Sequence, residues 1–219
     1  GKLKVLRSFG KSGGYNMVPN SPLAARDGML YGVSSQGEKS PHNFLYRIQK
    51  NGKGFQVLYT FTNLSQTFPP LIEGSDGMLY GIQSQFSTPG PGTVFKIAKD
   101  GTGYSVLHSF ASGQPGYYSQ PTGPLVEGSD GSIYGVGADA SSSPVVYRMD
   151  KDGGNFQIAG TFSSGVSGLT ASRDGGIYGI AEMGTLFRID TNLGISHFTT
   201  PIFLRRVSGL TELSNGDLC

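Results

Sequence analysis

Aromatic rings in the company of side-chain amides are the first residues in this chain whose types suggest chemistry. They are Tyr15-Asn16, Gln66 with Phe68, Phe86, and Tyr117-Tyr118 with Gln120. Such groups suit a sugar or a peptide, because the ring covers apolar C–H surface while an amide both donates and accepts hydrogen bonds. The plainer account is that these rings cap the edges of the fold, and on the residues alone it is the stronger. His42 adds a different chemistry. It is the only histidine in a long predicted loop, and with nearby Glu38 it would supply the acid and base of a polysaccharide or ester lyase or hydrolase.

The acids need the same weighing. Glu73, Glu127 and Glu212 fall at matching positions of a repeated string, with Ala25 and Ala171 at the other two. A ring of such carboxylates would suit Ca²⁺, which takes about six to eight oxygen ligands. The two alanines weaken that reading and leave solvated strand ends as the better account. No metal and no cofactor is expected. His108 alternates within a predicted strand, as a hydrogen-bonded structural histidine would, and His197 is not equivalent to it. Gly-Lys-Ser/Thr, His-Glu-x-x-His and Gly-x-Ser-x-Gly are absent, so no catalytic residue is assigned. The Gly10–Gly14 stretch lacks the strand-to-helix setting of a phosphate loop. Arg205-Arg206 suits an acidic ligand, but a charged strand edge is the simpler account.

What must position these residues is a repeat. Leu71-Ile72-Glu73-Gly74-Ser75-Asp76-Gly77-Met78-Leu79-Tyr80-Gly81 recurs nearly unchanged at 125–135, shortened at 23–32, again at 169–179, and incompletely at 210–219. Asp-Gly between two short apolar runs predicts a tight two-residue hairpin, with glycine free to take positive φ and aspartate bonding its own backbone. The turn Asp or Asn stands at 27, 76, 130, 174 and 215, at spacings of 49, 54, 44 and 41 residues. Those spacings match a propeller blade. Each of the first four anchors is followed by a run such as Val94-Phe95-Lys96-Ile97, a second turn such as Lys99-Asp100-Gly101, and a run such as Val106-Leu107-His108-Ser109-Phe110. Both runs alternate with period two and carry β-branched or aromatic residues, which is strand chemistry.

Each unit thus reads as four strands, and no window shows a helical period. One short sheet cannot bury both faces, whereas packing repeats around an axis can. The expectation is an all-β, single-domain β-propeller over 1–219, with four to five four-stranded blades; a β-sandwich would not explain the repeated quartets. The chain opens on a last strand, Val5-Leu6-Arg7-Ser8-Phe9, and closes inside a second strand at Cys219. A ring closed by a shared blade and a fragment of a larger ring both fit that phase, with the fragment slightly favoured. Chain order sets the short Asp-Gly turns on one rim and the long loops on the other, where function tends to sit.

Composition narrows the partners. A net charge of +2 without a basic run excludes nucleic acid and anionic membrane as expected partners. Glycine at 35 residues and a charged share of 15% suit a turn-rich β protein. One cysteine, Cys219, leaves no internal disulfide. No apolar run approaches the ~20 residues of a membrane span.

Gly-Pro-Leu-Val-Glu-Gly-Ser-Asp-Gly-Ser-Ile-Tyr-Gly at 123–135, Gly92-Thr93-Val94-Phe95-Lys96-Ile97 and Tyr104-Ser105-Val106-Leu107-His108-Ser109-Phe110 together resemble the bacterial GloVer tandem repeat of choice-of-anchor proteins. The resemblance covers essentially the whole chain and is strongest in the second and third units. It implies a β-propeller at the cell surface or outside the cell and supplies no catalytic residues. The expectation is therefore a binding or scaffold module that takes a carbohydrate or protein ligand on its long-loop rim. The rivals are the His42 enzyme and a structural repeat that self-associates into an extracellular polymer. The remaining blades of a larger chain would be a further partner.

Overall fold

Each copy of the repeated string folds as a hairpin, with one more residue in its loop than Asp-Gly alone suggests. In the computed structural model, residues 5–6, 18–19, 21–35, 43–61, 66–67, 69–85, 92–110, 121, 123, 125–139, 141, 143–163, 165–181, 184–198 and 210–219 are described. At the first copy the Gly28 N–H donates to the Ala25 carbonyl at 3.0 Å, and the Ala25 N–H donates to the Met29 carbonyl at 3.0 Å. Three residues, Arg26, Asp27 and Gly28, therefore bridge the closing pair. A two-residue type I′ loop needs positive φ at the aspartate as well, but only Gly28, at +82°, has it. The loop is a type I turn ending in a left-handed glycine. The same bond closes the other copies, from Gly77 to Gly74, Gly131 to Gly128, Gly175 to Ser172 and Gly216 to Leu213.

Four antiparallel sheets follow, one per unit. In the first, β1 (Val18–Pro19) and β2 (Leu23–Ala24) both pair with β3 (Met29–Ser35), which leads through β4 (Asn43–Gln49) to β5 (Gln56–Phe61). The second repeats this with β6 (Gln66–Thr67) and β7 (Ile72–Glu73) on β8 (Leu79–Gln85), then β9 (Thr93–Ile97) and β10 (Ser105–Ser109). The third runs in order through β11 (Val126–Glu127), β12 (Ile133–Ala138), β13 (Pro144–Met149) and β14 (Gln157–Thr161). The fourth does so through β15 (Val166–Ala171), β16 (Ile177–Ala181), β17 (Thr185–Ile189) and β18 (Ile195–Phe198). The fifth copy forms its hairpin, with Glu212 bridged to Leu218. By its internal contacts the chain divides into two compact units, 1–88 with 95–105, and 89–94 with 106–219.

The Tyr-Gly at the end of each string has a packing cause. Gly32 lies directly opposite Tyr46, Gly135 opposite Tyr147, and Gly179 opposite Phe187. In each pair the ring folds down over the glycine. A methyl group at Gly32 would stand 2.5 Å from the Tyr46 hydroxyl oxygen, and one at Gly81 2.5 Å from the Phe95 ring. Ring and glycine therefore form one unit of sheet packing. Tyr147 is fully buried and its hydroxyl has no hydrogen-bond partner among the described residues; burial pushes its pKa far up. An unpaired buried hydroxyl costs about 1–3 kcal/mol. Tyr147→Phe, copying the Phe at the second and fourth units, is expected to raise the urea midpoint by about 1 kcal/mol of stability. A lowered midpoint would mean that the hydroxyl has a partner.

A second repeated contact seats each sheet against the strand before it. Gly52 packs on the backbone of Leu6, Gly101 on that of Leu58, and Gly153 on that of Leu107. At the fourth unit the sizes are exchanged. Leu193 holds the glycine's place, donating from its N–H to the Asp190 carbonyl as the glycines do, and packs on the cluster that contains Ala159. Ala159 stands where the other units have leucine. Beside this contact run ring pairs: Tyr59 on Tyr104 at 4.6 Å, and His108 on Phe156 at 3.7 Å with planes 2° apart. At the equivalent place in the next unit Gly160 leaves room for Ile195.

Candidate functional site

Much of the polar chemistry that the structure describes gathers at the Asp-Gly hairpins, and each part of it begins in the turn. Asp27 Oδ1 accepts from the Met29 N–H at 3.0 Å and Oδ2 from the Tyr31 hydroxyl at 2.8 Å. Asp76 repeats both bonds with Met78 and Tyr80, Asp130 with Ser132 and Tyr134, and Asp174 with Gly176 and Tyr178. The turn aligns the two oxygens because an Asx bond fixes the carboxyl plane. The tyrosine, two residues into the next strand, then meets the free oxygen. In the third and fourth units an arginine from the neighbouring strand joins in, with Arg148 Nε 3.0 Å from Asp130 and Arg188 Nε 3.1 Å from Asp174.

Two glutamates of the string, Glu73 and Glu212, complete a second connection, from one unit to the one before. Glu73 Oε2 accepts from the Arg26 N–H at 2.7 Å, and Arg26 Nη1 donates to the Gly74 carbonyl at 3.2 Å. Glu212 and Arg173 repeat this, with 3.1 Å to the Arg173 N–H and 3.1 Å from Arg173 Nη1 to the Ser214 carbonyl. Lys99 lies 2.5 Å from Glu73 Oε1 and 3.5 Å from Asp27, and Lys151 lies 2.5 Å from Glu127. These carboxylates are not the solvated strand ends that the string suggests. They are partnered acceptors: Glu73 and Glu212 reach the unit before, Glu127 pairs with Lys151 of its own unit, and the Glu73 side chain is only 7% exposed. Among the described residues no group of three or more His, Cys, Asp or Glu side chains is placed to hold a metal ion.

The network's protonation follows from its geometry. Burial pushes the Asp27 carboxyl upward, but the Met29 N–H, the Tyr31 hydroxyl and Lys99 outweigh it and hold its pKa below the ordinary value. Glu73 behaves alike: burial opposes, while Lys99 and the Arg26 N–H lower it. Asp174, against burial, is brought down to about 2 by the Gly176 N–H, Tyr178, Ser172 and Arg188. Burial first, and then the aspartate, push Tyr31 and Tyr134 up to about 12. A general acid or base works best with its pKa near the working pH. Carboxylates held ionised and phenols held protonated serve as clasps rather than proton carriers.

Tyr15, Asn16, His42, Phe68, Phe86, Tyr117, Tyr118 and Gln120 lie outside the described residues, as do the side chain of Gln66, Glu38 and Arg205-Arg206. His108 is described. It stacks on Phe156, and burial holds its pKa below the usual histidine value. His197 meets Phe162 edge-on at 6.3 Å. Residue types alone missed the Asp–Tyr clasp, yet a signal was present: an Asp stands four residues before a Tyr in four copies, at 27/31, 76/80, 130/134 and 174/178. The fourth unit's turn and the fifth hairpin also line a recess of about 420 Å³, with Arg173, Asp174, Tyr178, Glu212 and Asn215 among its residues. No described helix is long and apolar enough to cross a membrane.

Residues 1–211 match the family model described as the Gloeobacter/Verrucomicrobia repeat. No curated protein is a significant match. Among solved structures, a chain of a nidogen–laminin complex is 15% identical with a TM-score of 0.61, covering 86% of this chain and 66% of that one. A streptogramin B lyase is 17% identical with a TM-score of 0.59, covering 91% and 74%. TolB from Acinetobacter baumannii is 14% identical with a TM-score of 0.60, covering 86% and 45%. This chain thus spans from under half to about three quarters of the length of these neighbours. What they share with it is the fold: an all-β propeller built of four-stranded blades.

Proposed function

The chain belongs to the Gloeobacter/Verrucomicrobia repeat family, and from that premise we propose that it is a binding or scaffold module, extracellular or exposed at the cell surface. Its ligand, a carbohydrate or a protein, is met by the long-loop rim. One observation supports this reading above the rest. The described turn aspartates are bonded to their own tyrosines, and Lys99 and Arg148 pair with Glu73 and Asp130, which favours the loops at the other ends of the strands for ligand contact. Those loops carry Tyr15, Asn16, His42, Gln66, Phe68, Phe86, Tyr117, Tyr118 and Gln120. Rings and amides suit a sugar face or a peptide strand. Propellers also house lyases, as one structural neighbour does by its name, and fold alone does not decide between binding and turnover.

The test uses one preparation for two measurements, a glycan and protein-ligand array and a screen for lyase or hydrolase turnover. Binding is expected without turnover, and Tyr117→Ala with Tyr118→Ala should weaken it about tenfold, the scale of losing aromatic contact. Turnover that disappears in His42→Ala would overturn the reading and install the enzyme.

A further inference from the structure

We propose that the chain carries two sites of spontaneous deamidation, Asn51 and Asn215, and that the fold sets their rates apart. They are the two Asn-Gly steps of the sequence, and a glycine, having no side chain, leaves its amide nitrogen uncrowded as a nucleophile. That nitrogen attacks the side-chain carbonyl carbon of the asparagine, gives up its proton, and ammonia leaves. Water then opens the cyclic imide at one carbonyl or the other, giving aspartate or isoaspartate. Each asparagine stands where other units have aspartate. Asn51 answers to Asp100 and Asp152, and Asn215 to Asp27, Asp76, Asp130 and Asp174. The two steps therefore sample the two kinds of turn in the repeat.

In the folded turns the reacting groups are engaged. The Gly52 N–H donates to the Gln49 carbonyl at 2.8 Å, and Asn51 Oδ1 accepts from the Lys53 N–H at 2.8 Å. Gly216 and Asn215 repeat both bonds, with the Leu213 carbonyl at 3.0 Å and the Asp217 N–H at 3.1 Å. Attack therefore waits for the turn to open, and opening differs between the two. Gly52 is seated on the Leu6 backbone, as Gly101 is on Leu58 and Gly153 on Leu107, so its turn opens only by leaving that seat. Nothing lies within 4 Å of a methyl group at Gly216, and the same holds at Gly28, Gly77 and Gly131. The open setting thus belongs to the Asp-Gly hairpin as a kind of turn. Segments with fewer contacts open more often, and Asn215 reacts first. The products differ as well. An aspartate at 51 keeps the turn bond that Asp100 and Asp152 make. At 215 the asparagine donates from Nδ2 to Asp217 Oδ2 at 2.6 Å, so its conversion sets two carboxylates together.

The experiment follows aspartate and isoaspartate at each site by mass-spectrometric peptide mapping, in buffer and in urea at one pH and temperature. In urea the two asparagines are expected to react at similar rates, because each precedes glycine. In buffer Asn215 should still convert, and Asn51 should be slower than Asn215 by about tenfold or more, the scale set by one further seated contact. Asp76→Asn and Asp100→Asn place the same dipeptide in both kinds of turn within one unit, far from either natural site. Each keeps an oxygen for the turn bond, and the rate in urea serves as its own reference. The site made by Asp76→Asn is expected to follow Asn215, and that made by Asp100→Asn to follow Asn51. Equal rates in buffer for the two introduced sites would overturn the proposal. So would an Asn51 as fast in buffer as in urea, or an Asn215 that stays intact in buffer after the urea sample has converted.

Discussion

Gly101→Ala is expected to destabilise the protein by about 3 kcal/mol, the sum of a left-handed backbone penalty and an overpacked contact. Gly101 has φ of +90°, and a methyl group there would overlap the Leu58 carbonyl oxygen and stand 2.9 Å from its carbonyl carbon. A side chain can rotate away from such an intrusion, but a strand carbonyl cannot without shifting its ladder. The comparison variant is Gly77→Ala. Its φ is +81°, yet nothing lies within 4 Å of the added methyl, so only the backbone penalty of about 1–2 kcal/mol remains. Thermal unfolding reads the difference, with a midpoint lower by roughly 6–12 °C for Gly101→Ala at this chain length. Equal losses in the two variants would show that the seating of Gly101 on Leu58 contributes nothing.

Asp130→Ala carries the second large effect, about 2–4 kcal/mol, because one carboxylate serves three donors. The Ser132 N–H, the Tyr134 hydroxyl and Arg148 all lose their acceptor, and Tyr134 is 1% exposed. Asp130→Asn retains the turn bond and is expected to lose less. A cycle with Tyr134→Phe isolates the clasp, whose coupling should be about 1 kcal/mol; additive losses would mean that Asp and Tyr act separately. The clasp also predicts the acid limb of stability. Burial pushes the Asp130 carboxyl up, but the Ser132 N–H, Arg148 and Tyr134 hold its pKa below the ordinary 3.8, so the folded chain takes up its proton later than the unfolded chain. The stabilisation is therefore complete above 3.8 and is lost as pH falls through the lowered value. For Asp174 the window runs from 3.8 down to about 2. The fall of the unfolding midpoint across that window should be shallower in Asp130→Asn and Asp174→Asn.

Much of the blade was legible beforehand because its signals are local. Turn residues and period-two runs announce strands through φ and alternation alone, and five copies of one string multiply a weak signal into a fold. The extra loop residue at Asp27 was not legible in that way. Asp-Gly serves a two-residue loop and a three-residue one equally well, and the choice lies in whether Ala25 or Arg26 closes the pair. The exchange of Leu107 and Gly153 for Ala159 and Leu193 was visible as residues but not as a contact, since the partners belong to different units.

The string Leu-x-x-Glu-Gly-Ser-Asp-Gly-x-Leu-Tyr-Gly by itself determined that there are repeated hairpins, where they turn, and that they belong to a propeller. Those are consequences of backbone conformation and side-chain alternation, which a sequence carries directly. Only the tertiary structure decided what the polar residues of the string do. Its Asp pairs with its own Tyr across a turn, and its Glu reaches back 47 residues to the Arg26 N–H. The same acid reads as a ligand, a solvated end or a clasp until its partner is known, and partners brought together across that distance are chosen by packing rather than by local spacing.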